Sequence, residues 1–244
     1  MIAPEVFTFA DTTRLARAAA ETVVETLRAA MQERGRATFV LTGGNTPEPL
    51  YRLLATDYRD ALEWDRVEVF FGDERHVPHD DDDSNFRMAR DTLLDGLPLS
   101  PDRVHPIPTG STPEADARAY EQTLREILDG SLPAFDLVLL GMGADGHVAS
   151  LFPGSPALDE TTRWVVATEA PPSSPVHDRI TLTFPAISAA HTVLFLVAGI
   201  AKREALTAVL RGPDDAPPAE RVEARERLLW FVDEAAYGPG ADAV

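Results

Sequence analysis

Five short runs of this chain are apolar almost from end to end: Ala37 to Leu41, Val67 to Phe71, Phe135 to Leu140, Thr192 to Ala198 and Leu228 to Val232. They are too short for core helices and do not alternate with polar residues, so they read as strands buried on both faces. Two further stretches, Trp164 to Thr168 and Ile180 to Thr183, are shorter strand candidates. The segments between them have a helical period. Thr12 to Arg34 places Leu15, Ala19, Val23 and Leu27 on one face and is followed by Gly35, a helix stop. Pro47 to Ala55, a segment capped by Ser84 and running through Leu94, Pro113 to Leu128, and about Ala201 to Leu210 read as further helices.

Doubly buried strands separated by helices predict a mainly parallel sheet with helices on both faces, right-handed crossovers, and a ligand site beyond the carboxyl ends of the strands. The chain has 244 residues and no internal repeat. The acidic run Asp80 to Asp83 and the Pro-rich loops Pro171 to Pro175 and Gly212 to Pro218 do not look like boundaries. We therefore expect one domain over residues 1–237 and a loose tail over 238–244.

Composition removes several classes of function. There is no cysteine, which excludes disulfides, thiol nucleophiles and Cys-ligated metal sites. With 22 basic against 40 acidic residues, the net charge is −18, which argues against general nucleic-acid or anionic-membrane binding. An anionic substrate would need a local cation cluster working against that field. Lys202 is the only lysine among the basic residues, the others being arginine. Met1 to Val6 lacks a basic start followed by an apolar run, and no window nears the ~18 apolar residues of a membrane span, so the expected location is cytoplasmic.

Chemistry is then expected just after the strands, where four segments stand out. Thr42-Gly43-Gly44-Asn45-Thr46-Pro47 is a tight turn into a helix, with Thr46 as a possible N-cap and Pro47 as the first helical residue. It is either an anion cradle of free N–H groups or a plain strand–helix turn. It matches neither the Gly-Lys-Ser/Thr phosphate loop nor the Gly-x-Gly-x-x-Gly dinucleotide fingerprint. In Gly72-Asp73-Glu74-Arg75, Arg75 can clamp a phosphate or carboxylate, and Asp73 or Glu74 can orient it or act as a base; a solvated loop is the plain alternative. The neighbouring Asp80 to Asp83 reads as a solvated loop, not a metal site.

The third segment, Gly141-Met142-Gly143-Ala144-Asp145-Gly146-His147, follows the strongest strand and puts Asp145 and His147 at the start of a possible short helix. Histidine is the commonest general base near neutral pH, and a nearby carboxylate can orient it. The other five histidines (His76, His79, His105, His177 and His191) have no comparable sequence setting. The fourth comprises Arg179, before the strand Ile180 to Thr183, and Lys202, which opens a helix where its charge opposes the helix dipole. A bound anion would explain that placement; a surface lysine is the alternative. Together these segments describe a site for an anionic small molecule, with a water activated by His147 as nucleophile, since no Gly-x-Ser-x-Gly elbow and no cysteine is present.

The order Thr42-Gly43-Gly44-Asn45-Thr46-Pro47, Gly72-Asp73-Glu74-Arg75, Ser84-Asn85, Gly141 through Pro153, Arg179-Ile180-Thr181 and Gly199 with Lys202 resembles the 6-phosphogluconolactonase family, from about residue 8 to residue 233. The resemblance implies a three-layer α/β/α, Rossmann-like domain and hydrolysis of 6-phosphogluconolactone to 6-phosphogluconate in the oxidative pentose phosphate pathway. It implies His147 as general base and Asp145 as its partner. It also implies Arg75, Arg179 and Lys202 as cations for the phosphate, with Asp73 beside them, and Gly43, Gly44, Asn45 and Thr46 as donors to the substrate. No metal or organic cofactor is implied, and the partner is a small-molecule sugar-phosphate lactone, with no nucleic acid or membrane. The oligomeric state is open, leaning to a monomer. The chain departs from the family at Val148, where Thr is frequent, and at Asn45, where Ser is frequent. A deaminase or isomerase of the wider superfamily would need an extra carboxylate near the histidine, which Ser150-Leu151-Phe152-Pro153 does not supply. A non-catalytic sugar-phosphate sensor would not need the Asp145/His147 pair.

Overall fold

The computed structural model describes residues 2–128, 132–212 and 216–238. Its strands and helices in chain order are β1 (Glu5–Phe9), α1 (Thr12–Arg34), β2 (Ala37–Leu41), α2 (Glu48–Ala55), β3 (Val67–Phe71), β4 (Asp73–Arg75), α3 (Asn85–Thr92) and α4 (Pro113–Ile127). There follow β5 (Leu137–Gly141), β6 (Val165–Glu169), β7 (Asp178–Leu182), α5 (Phe184–Ser188), β8 (Thr192–Val197), α6 (Arg203–Arg211), β9 (Arg227–Asp233) and α7 (Glu234–Tyr237).

Six strands form one sheet in the order β1-β9-β8-β5-β2-β3, every neighbouring pair parallel. All residues of β2, β3 and β8 are buried, as expected for strands covered on both faces. Helix α1 shows how the cover is made. Asp11 caps it by accepting the Arg14 N–H at 2.8 Å, and Gly35 ends it. The face carrying Leu15, Ala19, Val23 and Leu27 is buried against β1, β2, β5 and β9. The fold class read from the sequence therefore stands.

The strand order places the site. From β2 the chain adds β3 on one side; it later returns to add β5 on the other. The carboxyl ends of β2 and β5 thus flank the point where the order reverses, and a crevice opens there. The Thr42 hydroxyl accepts the Gly141 N–H at 3.4 Å, so the loops leaving these two strands touch. Two buried tyrosines fix the strand ends. Tyr51 Oη accepts the Thr42 N–H (3.0 Å) and donates to the Thr42 carbonyl (2.8 Å). Tyr120 does the same for Phe71, at 2.9 and 3.1 Å. Burial pushes both phenols well above their usual pKa, so they stay neutral donors.

The sequence reading missed two strands. β1 is a half-exposed edge strand, and its short pattern carries no doubly buried run. β4 consists of Asp73, Glu74 and Arg75 alone. It leaves the parallel sheet at Gly72 and joins β7 and β6 in a separate three-stranded antiparallel sheet. Helix α3 ends at Thr92, two residues before the expected Leu94. The expected loose tail lies, except for Gly238, outside the described residues, as does part of the loop Gly212 to Pro218. No helix among the described residues is long and apolar enough to cross a membrane.

Candidate active site

A cleft of about 620 Å³ opens at the carboxyl ends of β2 and β5. Gly43, Gly44, Asn45, Thr46, Asp73, Arg75, Asp145, His147, Arg179 and Lys202 all line it. Five separate stretches of sequence thus meet in one place.

The turn after β2 departs from expectation in one respect. Pro47, not Thr46, occupies the N-cap position of α2, and no side chain caps that helix. A turn closed by Glu48 N–H donating to the Asn45 carbonyl (3.4 Å) delays the helix by one residue. Thr46 is left on the cleft wall. Gly43 is required by close approach. A Cβ there would collide with the amide of Asn85, which is buried and donates to the Asp73 carbonyl (3.0 Å) and to Asp73 Oδ1 (3.2 Å).

Asp73 and Glu74 serve as struts. Besides Asn85, Asp73 accepts the Ser150 hydroxyl at 2.7 Å on Oδ2, so one buried carboxylate joins the start of α3, strand β4 and the loop carrying His147. Glu74 accepts the backbone N–H groups of Arg75, Asn85 and Phe86 at 2.7–2.8 Å and the Ser84 hydroxyl at 3.2 Å. It therefore caps α3 together with Ser84 and does not contact the Arg75 guanidinium. Burial raises the Glu74 carboxyl above its usual pKa; the three N–H donors pull against that shift and Asp73 adds to it.

Three cations face the cleft and form no close ion pair among the described residues. In the β4–β7 ladder Arg75 lies directly opposite Arg179. Like charges in register repel, a cost that a shared anion would offset. Arg75 donates from Nη1 to the Asp83 carbonyl at 2.7 Å, and its buried Nε has no partner among the described residues. Arg179 is 7% exposed and donates to the Val176 carbonyl and the Ser174 hydroxyl, both neutral acceptors. Burial depresses its pKa, Asp73 opposes that shift, and Arg75 deepens it. Lys202 stands at the N-cap position of α6. Burial depresses its pKa too, against the pull of Asp145. Among the described residues none of the three forms an ion pair.

His147 sits in a loop, not at the start of a helix. Gly143 N–H donates to the His147 carbonyl (2.9 Å) and Gly146 N–H to the Gly143 carbonyl (3.1 Å), which closes a turn that cannot propagate. Within it, His147 Nδ1 donates to Asp145 Oδ1 at 2.6 Å, and Asp145 also accepts the His147 N–H at 3.2 Å. A Cβ on Gly143 would overlap both His147 Nδ1 and Asp145 Oδ1, so glycine is what lets the pair lie against the loop. Partial burial opposes ionisation of Asp145, but the hydrogen bonds and charge of His147 outweigh it and hold the carboxyl below its usual pKa. Phe152 packs against the imidazole at 4.5 Å between ring centres. With Nδ1 bound to Asp145, Nε2 is the nitrogen left for a ligand, and it makes no hydrogen bond among the described residues. Next to this loop, Ala149 is the one non-glycine residue at positive φ (47°) among those described. Ser150 fixes that conformation by donating from Oγ to Asp73 and from N to Thr181 Oγ1 (3.1 Å).

Three other histidines do have carboxylate partners, contrary to their sequence setting: His76 with Asp116 (2.9 Å), His105 with Glu68 (2.8 Å) and His191 with Glu226 (2.6 Å). None of them lines the cleft. Asn85, on the cleft wall, and Ser150, buried behind it, are two polar supports of the site that sequence reasoning did not select. Their signal is buried polarity at contacts far apart in sequence, which no local pattern carries.

A family described as glucosamine-6-phosphate isomerases/6-phosphogluconolactonase matches residues 10–230 of this chain. A 6-phosphogluconolactonase of Synechocystis is 41% identical over 242 residues, 96% of this chain and 98% of its own. That of Mycobacterium tuberculosis is 42% identical over 236 residues, covering 93% and 95%. The solved structure of 6-phosphogluconolactonase from Trypanosoma cruzi superposes with a TM-score of 0.90 at 31% identity, covering 98% of each chain.

Proposed function

Since the chain belongs to the glucosamine-6-phosphate isomerase/6-phosphogluconolactonase family, we propose that it hydrolyses 6-phospho-D-glucono-1,5-lactone to 6-phosphogluconate in the oxidative pentose phosphate pathway. The observation that carries this reading is the His147–Asp145 pair, 2.6 Å apart, in one cleft with three cations that form no ion pair among the described residues. The reading includes one domain over residues 1–237, a small-molecule substrate and a cytoplasmic location.

Asp145 holds the imidazole with its proton on Nδ1, so that Nε2 presents a lone pair. A water hydrogen-bonded there gives its proton to Nε2 as its oxygen attacks the lactone carbonyl carbon. The carbonyl oxygen becomes an oxyanion. As the carbonyl re-forms, the bond from C1 to the ring oxygen breaks, and that oxygen takes the proton back from Nε2. Water is consumed and a carboxylic acid is formed, which loses its proton to solvent near neutral pH. Arg75, Arg179 and Lys202 hold the phosphate and so orient the ring, using binding energy remote from the reacting carbon. Gly43 to Thr46 supply backbone and hydroxyl donors to the substrate. Asp73 acts by holding Asn85 and Ser150 in place.

The test is lactone consumption above the spontaneous rate, with 6-phosphogluconolactone generated in situ. His147→Ala is expected to lose about 10²–10⁴-fold in kcat while still binding 6-phosphogluconate. If the wild-type protein does not accelerate hydrolysis, the proposed reaction is wrong, and deamination of glucosamine 6-phosphate is the next assay. Full activity in His147→Ala would overturn the base while leaving the reaction.

A further inference from the structure

The acidic run Asp80 to Asp83 has no role in the chemistry just described, yet its backbone ends on an arginine of the cleft. Asp81 N–H donates to the Pro78 carbonyl (2.9 Å) and Ser84 N–H to the Asp81 carbonyl (3.1 Å), while the Asp81 carboxylate accepts the Asp83 N–H (2.9 Å). The run is thus wound into a tight turn that directs the Asp83 carbonyl at Arg75 Nη1, 2.7 Å away. Arg87, on the first turns of α3, reaches back over this loop. Its Nη1 donates to the Asp80 carbonyl at 2.6 Å and pairs with the Asp82 carboxylate at 2.7 Å. Helix α3 is itself fixed to β4 by Glu74, which binds its first N–H groups. Arg87 therefore closes a ring running from β4 through α3 and the acidic loop back to Arg75.

The choice of acceptor matters. Four carboxylates are close in sequence, but Arg75 receives a backbone carbonyl. A carboxylate would cancel its charge; a carbonyl fixes the guanidinium and leaves the charge whole. Positioning is needed because Arg75 faces Arg179 in register, and without a tether the two would swing apart.

We propose that Arg87, by clasping the Asp80–Asp83 loop, is a positioning residue that holds Arg75 ready for the substrate phosphate. The inference rests on the reading of Arg75 as a phosphate contact. Asp82 is 93% exposed, so its ion pair with Arg87 contributes little to stability, and loss of Arg87 should appear in substrate binding.

The experiment measures kcat and KM for 6-phosphogluconolactone and for the unphosphorylated glucono-1,5-lactone in Arg75→Ala, Arg87→Ala, Arg87→Lys and the double alanine variant. Arg75→Ala is expected to raise KM for the phosphorylated lactone about 10- to 100-fold, the worth of one charge-assisted contact. Arg87→Ala should raise that KM about 5- to 10-fold, leave kcat within about twofold, and leave the unphosphorylated lactone unaffected. Arg87→Lys, which keeps the charge on a shorter side chain without the planar guanidinium, should fall between, and carries the test if the alanine variant does not fold. In the Arg75→Ala background, Arg87→Ala should change nothing further. If Arg75→Ala leaves KM unchanged, the phosphate reading fails and the inference with it. If Arg75→Ala raises KM but Arg87→Ala does not, only the inference fails. Independent, additive effects, or equal losses on both lactones, likewise overturn it.

Discussion

The two ends of the central sheet use the same residue types in opposite ways. Before the amino end of β5, Asp136 is buried and accepts Arg34 Nη2 at 2.5 Å, the Thr38 N–H at 2.7 Å and the Thr38 hydroxyl at 2.9 Å. Near the start of β3, Glu68 takes both Arg103 and His105, so that histidine–carboxylate pair is closed by an arginine. Charges there are matched within ion pairs. At the carboxyl end, Arg75 and Arg179 face each other, Lys202 sits at a helix start, and His147 spends one nitrogen on Asp145 and keeps the other. What separates a site from a structural network here is not the presence of a histidine, an acid or an arginine. It is the hydrogen-bonding and charge capacity left over after the protein has satisfied itself.

That contrast is broken most directly at Gly143. Alanine there pushes against His147 and Asp145 together. We expect Gly143→Ala to lower kcat about 100-fold, since a displacement of about 1 Å at the reacting group has that effect. The unfolding midpoint should fall far less than the activity, because the loop carries no core residue at that position. A variant with normal kcat would show that the pair's geometry is not what the carboxyl end preserves. Asp136→Ala is the counterpart at the other end. It strands the Thr38 N–H and hydroxyl in a buried setting and leaves Arg34 without its inner partner. A loss of about 2–3 kcal/mol in urea unfolding is expected, with activity per folded molecule unchanged. Loss of activity without loss of stability would reverse the roles assigned to the two ends.

Most of the central sheet was legible because burial on both faces writes a continuous apolar run, and β2, β3, β5, β8 and β9 all have one. β4 was not legible, since three charged residues carry no hydrophobic signal, and its burial comes from β7 and from partners brought in by α3 and the His147 loop. Nine of the ten candidate residues were legible from their position after strands and Arg179 from its place just before one, and the cleft gathers all of them. Their partners were not. Nothing local to Ser150 tells of Asp73, 77 residues away, or local to His105 of Glu68, 37 away. Thr46 looked like a cap because its type and the following proline fit one, but the Asn45–Glu48 turn shifts the helix start past it. Local chemistry announces which residues are suited to a task, and tertiary contact decides which of them are free to do it.

Lys202→Met tests that freedom with the smallest disturbance. The Lys202 side chain makes no hydrogen bond or ion pair among the described residues, and methionine fills much of its volume. An unpaired cation that binds substrate should be dispensable for folding, so stability near neutral pH should stay within about 0.5 kcal/mol of wild type or rise slightly. Affinity for 6-phosphogluconate should fall about tenfold, and the ligand should raise the melting temperature correspondingly less. Linkage adds a sign. Burial depresses the folded-state pKa of Lys202 below its unfolded value, so between the two the unfolded chain holds more protons. Wild-type stability should therefore gain a small contribution as pH rises through that window, on the alkaline side and ending near the ordinary lysine value of about 10.4. Lys202→Met should lack that contribution. Melting curves from about pH 8 to 11, with and without 6-phosphogluconate, measure both effects. If the variant is destabilised at neutral pH and binds ligand normally, Lys202 belongs with the matched charges of the amino end, and the division between the two ends does not hold at this residue.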